Sequence, residues 1–376
     1  MVVLQAIHEG IMAFYQSIKN SYRYPRGDAQ PGQSGWIADR LLRLRALLNA
    51  EIVSRRAPNS LIIGSWNIRH FDGGRPRLPE SFHYIAEIID HFDICALQEV
   101  KSVESMEQLM GLLGPNWDYF INDSSGAGRG NHERMAFVYN RNRVFFRNLI
   151  GELVIEKGAL PGDEQIGRTP FFASFQAGWF RFVLCSAHIV FEETEGRPLR
   201  EDEIRVIAEI LKDRAKDTDE VHVFIGDMNI EEPGDPGHRA LTSNGFEVPD
   251  LGPTSLTGTK HYDQIAFSGL QDKTEMLNRG AIHWQEAVFT DAEMEAYRDI
   301  AKAIRRRRKS GEGFWDFHTS IQRALAAGED VGEAYSDWEG EYSSWRTHEM
   351  SDHLPIWIEL KVDYSNEYLL GIKKRG

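Results

Sequence analysis

The 376-residue chain has only two cysteines, Cys95 and Cys185, both inside apolar stretches. Two thiols cannot build a disulfide-dense scaffold or a four-cysteine zinc site, so stability must come from an apolar core and a reducing compartment is allowed. No apolar run approaches the roughly 18 residues needed to cross a bilayer, so no membrane partner is expected. The stretch from Met1 to Gly27 lacks a basic region ahead of its apolar residues and does not resemble a secretory leader; a cytoplasmic protein is expected. Basic residues are also in deficit, 43 Lys+Arg against 57 Asp+Glu, for a net charge of −14. That balance disfavours general nucleic-acid coating but leaves a local groove open. At 41% hydrophobic and 27% charged residues, the composition fits one large globular domain or two modest ones and excludes a disordered or collagen-like chain.

Residues 1–60 read as a helical extension packed on the body. Leu41, Leu42, Leu44, Leu47, Leu48 and Ile52 recur at helical spacing between Trp36 and Arg56, after a turn-rich connector holding Pro25, Gly27, Pro31, Gly32 and Gly35. From Leu61 the pattern changes to short apolar runs. Segments 61–66, 93–97, 135–139, 171–175, 181–187, 221–226, 263–268 and 355–360 are strand-like. Two amphipathic helices intervene, one from Glu80 to Phe92 and one from Leu199 to Ala215, the latter with Pro198 at its first helical position. Many strands with few helices favour an α+β fold: two sheets in a sandwich flanked by helices, rather than one doubly wound sheet. The body spans 61–364, with a helical insertion at about 287–345 and a tail at 365–376.

Buried strands have no use for carboxylates, yet several of these runs end in or follow polar residues. They are Ser65-Trp66-Asn67, Ala96-Leu97-Gln98-Glu99, Cys185-Ser186-Ala187-His188, Ile225-Gly226-Asp227-Met228-Asn229 and Ser351-Asp352-His353. Strand ends at one edge of a sandwich can bring such groups together, and gathered carboxylates are tolerable around a hard cation. Carboxylate and amide oxygens suit Mg²⁺ or Mn²⁺ better than zinc, with Ca²⁺ also compatible, and such a site points to phosphoryl chemistry. Glu99, set between the apolar Leu97 and Val100, is the foremost ligand candidate. His70, His83 and His91 read as incidental.

The series SWNIRHF, DICALQEV, ERMAFVY, GRTPFFASF, LCSAH, GDMN, HYDQIAFSG and SDHLPIWIEL resembles the endonuclease/exonuclease/phosphatase superfamily, most closely its pancreatic-type deoxyribonuclease branch. The resemblance implies a four-layer α/β/β/α sandwich of two mostly antiparallel sheets. It implies that Asn67, Glu99 and Asp352 surround a divalent metal, and that Asp227 and Asn229 orient the attacking water and the phosphate. His188 and His353 resemble the catalytic histidines, Glu133 and Asp263 their carboxylate partners, and Arg168 the arginine beside the scissile phosphate. Lys101 stands where the deoxyribonucleases place a DNA-contacting arginine. A histidine held by a carboxylate gains basicity, which favours His353 as the base and leaves His188 as acid or charged donor, but the roles can be exchanged and Asp227 is a third candidate base.

Two departures bear on substrate and compartment. Asn131 replaces the tyrosine that the deoxyribonucleases carry two positions before the residue resembled by Glu133, and Ile230 to Asp235 lacks the cysteine of the secreted members. In the insertion, Thr290 and Glu293 form a capping box, and the helix that follows ends in Arg305-Arg306-Arg307-Arg308-Lys309, a patch suited to a phosphate backbone. Arg129 in the loop Gly126–Gly130 could follow a strand into the minor groove. The expected activity is metal-dependent phosphodiester hydrolysis, with DNA as the substrate. The alternative is a phosphatase or phosphodiesterase acting on a small-molecule or lipid phosphoester with the same site. A catalytically silent scaffold is the weakest reading, because no catalytic position is degraded.

Overall fold

The computed structural model describes residues 13–19, 23–73, 76–123, 133–191, 198–218, 220–268, 275–307, 314–329 and 337–375. Arg129, Asn131 and Arg308 lie outside these residues, as do the side chains of Arg306 and Arg307.

The elements run α1 (Ser34–Glu51), β1 (Ser60–Phe71), α2 (Pro79–Ile89), β2 (Ile94–Val100), α3 (Val103–Leu113), β3 (Trp117–Ile121), β4 (Arg134–Asn140), β5 (Phe145–Glu152), β6 (Phe171–Ala177) and β7 (Phe180–His188). They continue with α4 (Arg200–Lys216), β8 (Val221–Asp227), α5 (Pro236–Thr242), β9 (Asp263–Ser268), β10 (Met276–Ala281), α6 (Met294–Arg307), α7 (Phe314–Ala326), α8 (Trp338–Glu349), β11 (Ile356–Lys361) and α9 (Ser365–Arg375). A six-stranded sheet, ordered β10-β11-β1-β2-β4-β3, faces a five-stranded sheet, ordered β5-β6-β7-β8-β9. The β1/β2 and β7/β8 pairs are parallel and the other pairs antiparallel.

Three apolar cores define the layers. Ile63, Ala96, Phe137, Phe175, Leu184, Ile225 and Ile358 interdigitate between the sheets. The outer face of the six-stranded sheet is covered by α1, α2, α3 and the insertion helices. The outer face of the five-stranded sheet is covered by α4 and α5. The expected sandwich flanked by helices is therefore what the chain forms, with an N-terminal helical extension against it.

All eight expected strands are present. β3, β5 and β10 were not anticipated; each is an edge strand, so burial on one side only leaves a weak sequence signal. Pro198 precedes α4 rather than opening it, because Leu199 is the cap and Arg200 the first helical residue. The first helix stops at Glu51 and passes into a short 3-10 turn ahead of Pro58, which disfavours helical backbone at Ala57. The tail after 364 folds as α9.

The extension and the insertion meet over α2, which is buried along its whole length despite carrying Glu80 and Glu87. Glu80 accepts from the Gly32 amide and the Tyr297 hydroxyl, both at 2.7 Å, and Tyr297 in turn accepts from Trp36 Nε1 at 3.1 Å. Glu87 pairs with Arg45 at 2.9 Å, and Arg40 pairs with Glu293 at 2.8 Å. The capping box at Thr290 forms as expected, with the Thr290 amide donating to Glu293 at 3.0 Å. Burial of Ile37, Leu44 and Leu48 along α1 contributes about 1.5–3 kcal/mol per side chain, so these charges are held inside an apolar assembly.

Burial pushes the Glu80 carboxyl up to about 7, against the donors that favour its charged form. A carboxyl raised above its unfolded value adds stability that is full below the usual 4.5 and lost as the pH rises through 7. Urea unfolding of wild type and Glu80→Gln across pH 4 to 8 should show their stability difference shifting by about 3 kcal/mol in favour of the glutamine variant at high pH. A difference that does not move with pH would contradict this account of the cluster.

Candidate active site

Strand polarity assembles the cleft. The parallel pairs β1/β2 and β7/β8 present their carboxyl ends at one rim, where the antiparallel strands β4, β9 and β11 begin. His188 is the register partner of Asp227, and Asp227 is the partner of Asp263. Asn67 and Glu99 sit where the β1, β2 and β4 ladders shift register. Such irregularities turn side chains out of the sheet. Arg69, His70, Glu99 and Asn229 all adopt positive φ, at 39°, 47°, 62° and 51°, a costly backbone that concentrates at functional sites. Gly226, at φ 132°, lies against the Ala187 carbonyl, where a Cβ would collide.

The buried Asn67 amide spans the two sheets. Its Nδ2 donates to Glu99 Oε1 and to Asp227 Oδ2, both at 2.9 Å, while Oδ1 accepts from the Arg69 amide at 3.0 Å. Ser351 Oγ donates to the Asn67 carbonyl at 2.6 Å and accepts from the His353 amide at 3.0 Å, tying β1 to the entry of β11. Glu99 Oε2 accepts from the His70 amide at 2.8 Å and lies 2.9 Å from His70 Nδ1. Burial raises the Glu99 carboxyl, but the His70 contact, the His188 charge and the Asn67 hydrogen bond together hold it well below the usual carboxylate range.

Two imidazoles flank Asp227. His188 has Nδ1 3.1 Å from Glu133 Oε2 and Nε2 3.5 Å from Asp227 Oδ2. His353 has Nδ1 2.8 Å from Asp263 Oδ2 and Nε2 3.7 Å from the same Asp227 oxygen. Thr254 Oγ1 donates to Asp263 at 2.7 Å and steadies that pair. Burial lowers the His353 pKa, but Asp263 and Asp227 outweigh it and hold the ring well above the usual histidine value. Burial raises Asp263 against the opposing His353 charge. The Asn229 backbone amide donates to Asp227 Oδ1 at 3.0 Å and its Nδ2 to the Ile189 carbonyl at 2.7 Å.

Glu133 gathers the basic side chains. Arg168 Nε lies 2.9 Å away, Lys101 Nζ 3.6 Å and His70 Nδ1 3.9 Å. Asn67, Glu99, Glu133, Arg168, His188, Asp227, Asn229, Asp263 and His353 are thus brought together. Asp352 is half-exposed and pairs with Arg69 at 3.6 Å instead of joining either group of convergent ligand atoms. Arg305 is exposed near the end of α6, which supplies none of these contacts. His70, expected to be incidental, is part of the cluster, whereas His83 does bond within the interior, to Tyr24 at 3.0 Å. Thr254 and Ser351 carried no sequence signal as supports.

Among the described residues, two groups of ligand atoms converge closely enough to hold a divalent ion: His70, Glu99 and Glu133, and Asp227, Asp263 and His353. In the second, His353 is already hydrogen-bonded to Asp263. Around Glu99, charged oxygen donors beside an amide fit a hard cation such as Mg²⁺ or Mn²⁺. Glu99→Ala should weaken Mn²⁺ binding at least about tenfold, read as free Mn²⁺ by electron paramagnetic resonance. Unchanged affinity would place the ion elsewhere.

Among the described residues, no helix is long and apolar enough to cross a membrane. Comparison with known proteins gives likenesses of two kinds. The chain is 24% identical over 247 residues to deoxyribonuclease-1 of Gallus gallus, covering 61% of this chain and 84% of that one. It is likewise 24% identical over 264 residues to deoxyribonuclease-1 of Rattus norvegicus, covering 65% and 88%. Among solved structures, the mannosyl-6-phosphatase Bt3783 of Bacteroides thetaiotaomicron VPI-5482 superposes with a TM-score of 0.48 at 15% identity, covering 80% of this chain and 99% of that one. These likenesses single out no one branch. The pattern that matches residues 64–351 is that of the Endonuclease/Exonuclease/phosphatase family, and a match over that much of the chain makes this protein a member of it.

Proposed function

We propose that the protein hydrolyses a small-molecule or lipid phosphoester by metal-assisted attack of water. One observation carries the reaction type: a buried carboxylate oxygen, Asp227 Oδ2, lies 3.5 and 3.7 Å from two imidazoles whose other nitrogens each rest on a separate carboxylate. Phosphoester hydrolysis needs a nucleophile deprotonated on one side, charge stabilised on the non-bridging oxygens, and a donor for the departing oxygen.

Under this reading Asp227 takes the proton of the attacking water. His353, kept cationic by its two carboxylate neighbours, donates to the phosphoryl oxygens or to the leaving group. That reverses the base role first favoured for His353, because a ring held in its charged form has no lone pair to offer at neutral pH. His188, fixed by Glu133, and Arg168 beside it supply the opposing donors. Glu99, which converges with His70 and Glu133, would hold the metal, which when bound supplies Lewis-acid stabilisation of the phosphoryl oxygens.

The electrostatics of the cleft favour a small substrate over a polynucleotide. Lys101 and Arg168 are paired with Glu133, and Arg69 is paired with Asp352, in a chain of net charge −14. A duplex must be neutralised at many phosphates, which asks for surplus cations. DNA as the substrate is the second reading, supported by the two deoxyribonuclease relatives.

Incubation with phosphomonoesters, phosphodiesters, phosphoinositides and supercoiled plasmid, each with Mg²⁺ or Mn²⁺ and then excess chelator, separates the readings. The expected result is chelator-sensitive turnover of a small phosphoester, lowered about 10²–10⁴-fold in His188→Ala and in His353→Ala. Plasmid nicking with every small ester left intact would establish the second reading. Turnover that survives chelation would overturn the metal.

A further inference from the structure

Arg77 is a buried cation that the reaction above does not use. It is 2% exposed and lies in the segment that leads into α2, with the Phe71 ring 5.1 Å from its guanidinium carbon. Its Nη2 donates to the carbonyls of Ile68 at 2.5 Å, Arg69 at 2.7 Å and Met350 at 3.4 Å, its Nε to the Glu349 carbonyl at 3.2 Å, and its Nη1 lies 3.5 Å from Asp72 Oδ1. The ladder between β1 and β2 lapses between Asn67 and Phe71, and the Ile68 and Arg69 carbonyls fall in that gap. Carbonyls without a strand partner need donors, and a guanidinium offers five, so satisfying them is a sufficient structural reason for the residue.

The other ends of the same peptides connect Arg77 to the site. The peptide that carries the Ile68 carbonyl ends in the Arg69 amide, which donates to Asn67 Oδ1 at 3.0 Å. The next peptide carries the Arg69 carbonyl and ends in the His70 amide, which donates to Glu99 Oε2 at 2.8 Å. A peptide is planar, so a donor that fixes its carbonyl also aims its N–H, and a hydrogen bond at one end strengthens the bond made at the other. The backbone needs that hold, because Arg69 and His70 both sit at positive φ, 39° and 47°. The preceding carbonyl, of Asn67, accepts from Ser351 Oγ at 2.6 Å, and Ser351 directly follows Met350 on the same guanidinium.

We infer that Arg77 is a positioning residue for the metal side of the cleft: acting through the Ile68–Arg69 and Arg69–His70 peptides, its guanidinium sets the direction of the Asn67 amide and the Glu99 carboxylate. The inference rests on the metal-assisted hydrolase reading and adds to it a residue outside the cleft. Lysine at this position keeps the charge, but its single nitrogen cannot span the paired carbonyls of β1 and the Glu349 carbonyl together.

The test uses the full chain carrying Arg77→Lys, with Arg40→Lys as the comparison, since Arg40 is also buried and its pair with Glu293 belongs to the cluster over α2. Both are studied below their urea-unfolding transitions. Free Mn²⁺ read by electron paramagnetic resonance should show a Kd raised about 10-fold or more in Arg77→Lys and kept within about twofold of wild type in Arg40→Lys. The ¹⁵N–¹H signals of the Arg69 and His70 amides should move in the first variant and stay in place in the second. If the lysine variant does not fold, wild type labelled with ¹⁵N-arginine decides: the Arg77 guanidinium signals should shift during a Mg²⁺ titration, at the midpoint that Mg²⁺ shows in competition with Mn²⁺. An unchanged Mn²⁺ Kd in folded Arg77→Lys, or guanidinium signals indifferent to Mg²⁺, overturns the positioning role. Weakened Mn²⁺ binding in Arg77→Lys beside a wild type that hydrolyses no phosphoester overturns the hydrolase reading alone, and an active wild type with the same Mn²⁺ Kd as Arg77→Lys overturns the role of Arg77 alone.

Discussion

The cleft depends on one side-chain amide. Asn67 Nδ2 bonds Glu99 on one sheet and Asp227 on the other, so a single residue of β1, at the register shift of its ladder with β2, sets the separation of the two sheets at their functional rim. Two carboxylates sharing a donor in a mostly buried place repel each other, and the protein offsets that repulsion with His188, His353 and His70 around them. The remaining deficit of positive charge is one that a divalent ion would satisfy.

This arrangement follows from the order of the strands. Parallel neighbours within each sheet end together, and the antiparallel strands beside them start at the same rim, so residues distant in sequence need only occupy strand termini to meet. The supports are local and polar: Ser351 beneath Asn67, Thr254 beneath Asp263, and Glu133 shared by Arg168, Lys101 and His188. The layers outside the sandwich serve a different purpose. The extension and the insertion close over α2, where Glu80, Tyr297, Trp36 and Gly32 form a buried chain of hydrogen bonds far along the sequence from the motifs.

What the sequence disclosed follows the same physics. Central strands are buried on both faces and read as continuous apolar runs, so β1, β2, β4, β6, β7, β8 and β11 were legible, as was β9, an edge strand buried along its whole length, while the edge strands β3, β5 and β10 mix polar and apolar residues and were not. Asn67, Glu99, His188, Asp227 and His353 stood out because polar groups at the ends of such runs have no role in packing. His70 did not, since an exposed histidine near the end of a strand has the same appearance whether or not its ring reaches a carboxylate; only the positive φ that folds it back onto Glu99 distinguishes it. Thr254 and Ser351 lie in irregular segments without periodicity, where nothing in composition marks a hydroxyl as a brace. Asp352 was legible as an acid beside His353, but its pairing with Arg69 depends on side-chain direction, which the sequence does not carry.

Anomalous diffraction from a crystal soaked in Mn²⁺ tests the central claim most directly. The account predicts a single strong peak within bonding distance of the Glu99 carboxylate, on the side of the cleft facing Asp227. A peak located away from Glu99, or a fully occupied ion seated only between Asp263 and His353, would contradict it.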